Sequence, residues 1–417
     1  MRFAFGITLA LCLMAIAALS PGASSWSIAA EYPGNYSGVQ CSVSGSMLYC
    51  TGGSTTYNYT NTTYYATVTP SGIGPWASGA TFPVNITGQS CTYNGNFVYC
   101  VSGYNATSTF NSTYMGQLAS NGIYNWTQTT PYPTGVSDQM CVATVDNLYC
   151  TGGYNGSAEV NSSYYTPLLY GLPTIWNVTA PYPVAITGSS CFTSENYLYC
   201  TGGMVNGTYV NYSYFAPLTQ NGIGPWSGTT RYPFNATGIG CTVASNRVYC
   251  TGGNNATSFS NATYMAQLTS SGITSWNRIA TMPQRVSFSG CGNLAGLSVY
   301  CVGGYDAGSY SANVSLMQLS EVPQQNYTAP IVVINGSTLA TTATVFSTNP
   351  AIPTGNATTP STTKTQNNTA YMIITVVVAA LVVAYLFSRR RGGKSANGSS
   401  QASRYTRSSR RNSGLPS

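Results

Sequence analysis

The chain has 417 residues, of which only 5% are charged, and a formal charge of +7. Eight of the basic residues lie between Arg389 and Arg411, while Trp26 to Thr369 carries five basic against seven acidic residues. Phosphate binding needs clustered Lys and Arg, so this sparsely charged segment excludes a nucleic-acid-binding domain.

Residues 1–25 read as a secretory signal peptide: Arg2, an apolar run from Phe3 to Leu19, then the small residues Ala23-Ser24-Ser25. Its removal takes Cys12 with it and leaves twelve cysteines, an even number suited to an oxidising compartment.

From residue 26 onward the chain keeps a fifty-residue period. The six tryptophans are Trp26, Trp76, Trp126, Trp176, Trp226 and Trp276. Cys41, Cys91, Cys141, Cys191, Cys241 and Cys291 keep the same interval, and each has a downstream partner: Cys50, Cys100, Cys150, Cys200, Cys250 and Cys301. A fixed period of this length marks a repeat architecture. Within one unit, alternating residues before Asn94-Gly95-Asn96 and the β-rich Phe97-Val98-Tyr99-Cys100 after it make a hairpin. Cys91 and Cys100 then face each other across two antiparallel strands, close enough for a disulfide. Paired cysteines in an exported chain without histidine read as such bridges, not as metal ligands. The last pair, Cys291 and Cys301, is one residue further apart, and a β-bulge is expected to absorb the difference.

A glycine pair such as Gly52-Gly53 or Gly252-Gly253 follows the second cysteine, then a polar loop, and then a third strand with Tyr64-Tyr65 or its equivalents. A fourth strand is expected to carry the tryptophan, and six residues later comes Tyr, Phe or Met followed by proline, as in Tyr132-Pro133. Four short strands per unit, six times over, predict an all-β fold: a six-bladed β-propeller of four-stranded antiparallel blades over 26–322. The tryptophans are assigned to blade packing, since a residue repeated in every unit suits a structural task.

The stretch from Trp276 to Arg285, continuing to Val299-Tyr300-Cys301-Val302-Gly303-Gly304, resembles the kelch repeat: an aromatic strand ending in Gly-Gly, then Tyr, then Trp. The resemblance implies a propeller of the kelch type over all six units. The paired cysteines are not part of the general kelch pattern, and Arg follows the proline only in the last unit. The first tryptophan precedes the first cysteine pair and no tryptophan follows the last. The segment around Trp26 is therefore expected to supply the outer strand of the sixth blade and close the ring.

Asn-X-Ser/Thr sequons crowd two loop sets that share one face of such a disc. Asn61, Asn111, Asn161, Asn211 and Asn261 keep the fifty-residue phase, with Asn105, Asn155 and Asn255 in the same loops. They are read as N-glycosylation sites on an exported domain. Residues 323–369, rich in Thr, Ser, Asn and Pro, read as a stalk. Residues 370–388 read as one transmembrane helix, and the basic 389–417 as a cytoplasmic tail placed there by its arginines.

For catalysis the sequence offers little. Galactose oxidase, a kelch-type enzyme, uses histidines to hold copper, and this chain has no histidine. Sialidases, also six-bladed, clamp a carboxylate with three arginines; Arg231, Arg247, Arg278 and Arg285 are the propeller's only ones. Asp138, Asp146, Glu159, Glu195 and Asp306 are available as acids or bases, but they share no phase with one another. The expectation is a non-enzymatic, single-pass cell-surface glycoprotein with no cofactor or metal, which binds an extracellular protein or glycan and no nucleic acid. The alternative is a carbohydrate-active propeller enzyme. Arginines gathered with acids at the central channel would favour the enzyme, and an uncharged channel would favour binding.

Overall fold

Each fifty-residue unit folds into one antiparallel sheet because its strands are short, β-branched or aromatic, and separated by Gly- and Asn-containing turns. The computed structural model describes residues 24–319. The signal peptide apart from its last residues, the stalk, the membrane helix and the tail lie outside the described residues. Every regular element among the described residues is a β-strand.

Six sheets form a six-bladed propeller. The inner strands are Gln40–Ser44, Ser90–Asn94, Met140–Ala143, Ser190–Ser194, Thr237–Ala244 and Gly290–Leu294. Each pairs with the strand of the second cysteine, and that strand pairs with a third, as in Asn147–Thr151 against Ser163–Leu169. In the sixth blade the outer strand is Trp26–Tyr36, paired antiparallel with Ser309–Gln318 so that Trp26 faces Met317 and Ala30 faces Val314. The ring therefore closes through the start of the domain, and no third strand is left as a bare edge there.

All six disulfides form within blades, between directly opposed residues of the inner and second strands, with Cα atoms 4.0 to 4.2 Å apart. The expected bulge at the last pair is absent. Register runs unbroken from Gly290 opposite Val302 to Leu294 opposite Ser298. The extra residue enlarges the turn to Ala295-Gly296-Leu297, where Ala295 and Gly296 take positive φ, so the adjustment falls where no ladder bond is lost. The outer strand also departs from expectation. In the first, third, fourth and fifth blades it breaks into two pieces, such as Gly72–Ile73 and Ala77–Ser78, and Trp76 lies in the gap. The second and sixth blades have continuous pieces, Gly122–Gln128 and Trp26–Tyr36, and both carry register shifts, in the second beside Trp126.

The core is divided among six hydrophobic clusters, one at each seam between blades. The side chains before the prolines are all buried: Tyr32, Phe82, Tyr132, Tyr182 and Tyr232, with Met282 in the sixth place. Each ring meets the next tryptophan edge-on, from Tyr32 on Trp76 at 4.9 Å to Tyr232 on Trp276 at 5.1 Å. Edge-to-face geometry suits the aromatic quadrupole. The indoles of Trp126, Trp176, Trp226 and Trp276 donate to Ala80, Thr130, Ala180 and Thr230 carbonyls of the preceding blade.

The glycine pairs bind the seams from the other side. The second glycine donates its N–H to the next link, as Gly153 to Ile186 O and Gly304 to Tyr36 O, both at 2.7 Å. A Cβ on Gly152 would sit 2.7 Å from Ile186 O, and both glycines of that pair have positive φ, so close approach and backbone conformation together require them.

Candidate functional site

The inner strands of all six blades enclose a central channel of about 580 Å³. Hydroxyl and amide groups such as Gln40, Ser42, Thr92, Thr193 and Thr242 share its wall with apolar side chains such as Val142, Phe192 and Val243 and with the first cysteine of every pair. Asp138 is the one charged residue in the wall, and none of Arg231, Arg247, Arg278 or Arg285 reaches it. Arg231 instead lies over the Tyr212 ring at 5.0 Å, and Arg278 donates to Thr281 Oγ1 at 3.1 Å. The remaining acids are dispersed. Glu159 accepts the Gly207 N–H, Glu195 accepts from Asn246 Nδ2, and neither these nor Asp146 and Asp306 line the channel.

A backbone ring surrounds one mouth of this channel, where each link turns into an inner strand. Its members are Gly38, Gly88, Asp138, Gly188, Gly238 and Phe288, one per blade at the fifty-residue interval. All six take left-handed φ, between 53° and 66°. Hydrogen bonds run around the ring: Gly38 N–H to Phe288 O, Asp138 to Gly88, Gly188 to Asp138, and Phe288 to Gly238, at 2.7 to 2.9 Å. Glycine takes this conformation without steric penalty, Asp tolerates it, and a bulky residue such as Phe is an outlier. The two exceptions are three blades apart in a ring of six, so they face each other across the channel axis.

The glycines make room for these side chains. A Cβ built on Gly88 would meet Asp138 Oδ1 at 3.0 Å, and one on Gly238 would meet the Phe288 ring at 2.9 Å. Each exceptional side chain thus lies over the glycine of the preceding blade. Phe288 is 36% exposed, so its ring is not in the core. Asp138 is half-buried among neutral groups. Burial pushes its carboxyl up to about 6, partly opposed by a hydrogen bond with Ser137. Beside it stands Tyr104, whose phenol is raised to about 12, mainly by burial and next by Asp138. Around the mouth, Thr87 bridges to Tyr104, Ser137 to Tyr154 and Ser287 to Tyr305, which sets an aromatic residue outside the ring in three blades.

Asp138 was legible in the sequence as an acid, but comparing acids with one another concealed its phase. Read as a column of the repeat, four glycines single out both Asp138 and Phe288.

The sequons divide into two sets. Asn105, Asn155 and Asn255 head short turns in which Oδ1 accepts backbone N–H bonds, as from Thr107 and Ser108 to Asn105. This leaves Nδ2 free in those loops. The phase-locked set has a folding task. The carbonyls of Asn61, Asn111, Asn161, Asn211 and Asn261 accept the N–H of Phe82, Tyr132, Tyr182, Tyr232 and Met282. Asn211 and Asn261 also donate Nδ2 to Tyr232 O and Met282 O. Two residues on, Ser163, Ser213 and Thr263 are buried and share hydroxyl hydrogen bonds with Thr151, Thr201 and Thr251. In the third, fourth and fifth blades, residues of the phase-locked sequons thus also serve the fold.

No family model matches the chain, and no curated protein matches it. Among solved structures, that of YjhT aligns with a TM-score of 0.58 over 71% of this chain and 98% of its own, at 13% identity. At that identity the likeness shows the propeller fold and nothing finer.

Proposed function

We propose that the chain is a kelch-like, membrane-anchored surface glycoprotein whose propeller recognises a ligand at its channel mouth without chemically altering it. The observation that carries this reading is the composition of the channel: one carboxyl, no arginine, and a wall otherwise of neutral polar and apolar groups. Hydrolysis of glycosidic bonds ordinarily needs two carboxyls in concert, and anionic sugars need a cationic clamp. The repeat pattern of aromatic, Gly-Gly, Tyr and Trp supports the kelch reading. The signal peptide, the apolar 370–388 and the basic tail support placement at the cell surface with the C-terminus inside. Asn105, Asn155 and Asn255 are the first candidates for glycans.

One observation favours the enzyme alternative: Asp138 has a carboxyl raised by burial within a cleft, as general acids do. The two readings separate on an array of glycans and extracellular proteins probed with the purified full-length chain. Recognition predicts retention of a ligand that is recovered intact, and weaker retention when Phe288 is replaced. Turnover of any arrayed glycan, lost in Asp138→Asn, would overturn it.

A further inference from the structure

The Asp138 carboxyl and the Phe288 ring stand opposite each other at the channel mouth, each on a left-handed backbone where four blades have glycine. Neither contributes to the core, and strained residues that serve no packing purpose gather at functional sites. We propose that this mouth binds an alkylammonium group, its nitrogen on the Asp138 carboxylate and its apolar body against Phe288. The inference rests on the recognition reading above and names the chemistry of its ligand.

Three features argue for a cation. The channel wall carries one acid and no basic side chain, so the carboxylate has no counter-charge of its own among the wall residues. A carboxylate surrounded by neutral protein groups gains more from an ammonium than one in bulk water, because the local dielectric is lower. Aromatic rings also attract ammonium groups through their faces, and Tyr104 stands beside Asp138 while Phe288 is open to the lumen. An anionic ligand would meet unrelieved repulsion. A neutral sugar would satisfy the hydroxyl wall but would leave the carboxylate uncompensated.

The titratable groups facing Asp138 are few. Tyr104 and Tyr93 share the channel wall with it, and Tyr154 is bridged to the neighbouring Ser137. Burial raises the phenols of Tyr93 and Tyr104 above the ordinary tyrosine range, so neither ionises near neutrality. Binding should therefore follow the Asp138 carboxyl: full above about pH 7 and lost as the pH falls through about 6 and below.

The test is calorimetric titration of the full-length chain with n-butylammonium, n-butanol and butyrate. A second arm uses a lysine-bearing peptide and its side-chain-acetylated form, to separate a free amine from a lysine presented by a partner protein. Butylammonium or the unacetylated peptide should bind at about pH 7.5, at least about tenfold more weakly at about pH 4.5 and in Asp138→Asn. Phe288→Gly should weaken binding roughly threefold. Asp138→Gly restores the residue of the other blades, so it should abolish binding without lowering the Tm, which separates lost binding from lost folding. Binding of neutral and cationic probes alike, unchanged in Asp138→Asn, would overturn the cation assignment and leave channel recognition standing. Absence of binding by every cationic probe would overturn the assignment as well, whereas failure of the recognition reading would show separately as turnover on the array.

Discussion

The indole Nε1 of Trp26 donates to Thr263 Oγ1 at 2.7 Å, across 237 residues of sequence. The four later tryptophans that bond across a seam use a backbone carbonyl 46 residues earlier. The Trp26 bond instead joins the start of the domain to the fifth blade, so it exists only once the ring has closed. Trp26 also packs with Met282, the sixth member of the series that begins with Tyr32.

Trp26→Ala should therefore destabilise the propeller by about 3–5 kcal/mol, the range for emptying a buried tryptophan site. Thr263→Val, which removes the hydroxyl bonded to both the Trp26 indole and Thr251, should cost about 1–3 kcal/mol. Denaturant unfolding of both variants checks this. An unchanged midpoint for Trp26→Ala would contradict ring closure through this strand.

The hydroxyls of Tyr32, Tyr132, Tyr182 and Tyr232 are buried without a partner. The second blade has Phe82 at the same place, where the ring packs equally well on Trp126 at 4.8 Å. Tyr132→Phe should therefore stabilise by about 1 kcal/mol. The same burial holds the Tyr132 phenol far above its usual range, next aided by Tyr164. A folded pKa raised above the unfolded one gives stability that is whole below pH ~10 and falls as the pH rises further, because the unfolded chain ionises first. Alkaline titration should show phenolate absorbance from these positions appearing together with unfolding. Tyr132→Phe should move that transition upward, and smooth ionisation without unfolding would contradict the packing described.

Each disulfide closes a short loop inside one blade, so Cys141→Ala with Cys150→Ala should cost about 2–3 kcal/mol. The same double change in any blade should cost a similar amount, since the six bridges are geometrically alike. The six together then approach or exceed the whole stability of an ordinary domain, roughly 5–15 kcal/mol. Full reduction should unfold the propeller near physiological temperature, measurable by thermal scans with and without reductant. A reduced protein with an unchanged Tm would refute this.

Site-resolved glycopeptide mass spectrometry of the exported chain should find glycans at Asn105, Asn155 and Asn255. Asn211 and Asn261, whose amide nitrogens hold the links, should be unmodified. The reverse distribution would mean that the links form by other bonds.

Much of this fold was written in the spacing. Trp26 standing before the first cysteine pair and no tryptophan after the last disclosed both blade number and closure. The pairing of Cys41 with Cys50 and its equivalents followed from hairpin length. What escaped the sequence were features that depend on geometry at a point. The turn at Ala295-Gly296-Leu297 was free to grow because solvent, not a neighbouring strand, borders it. Trp76 sits in a gap because its indole is turned toward the preceding blade, and a regular strand would not hold it there. The hydroxyl pairs of Ser163, Ser213 and Thr263 with the second strand depend on cross-strand register, which sequon spacing does not reveal. Asp138 and Phe288 stand in one column of the repeat with four glycines, but that the column forms a left-handed ring at the channel mouth depends on backbone conformation that spacing does not reveal.

Hydrogen–deuterium exchange along Trp26–Tyr36 tests the closed six-bladed ring most directly. Its amides, paired with Ser309–Gln318 in a ladder that holds the two ends of the domain together, should exchange as slowly as those of their partner strand. Exchange of 26–36 at the rate of an unstructured peptide, with the rest of the domain protected, would contradict the account.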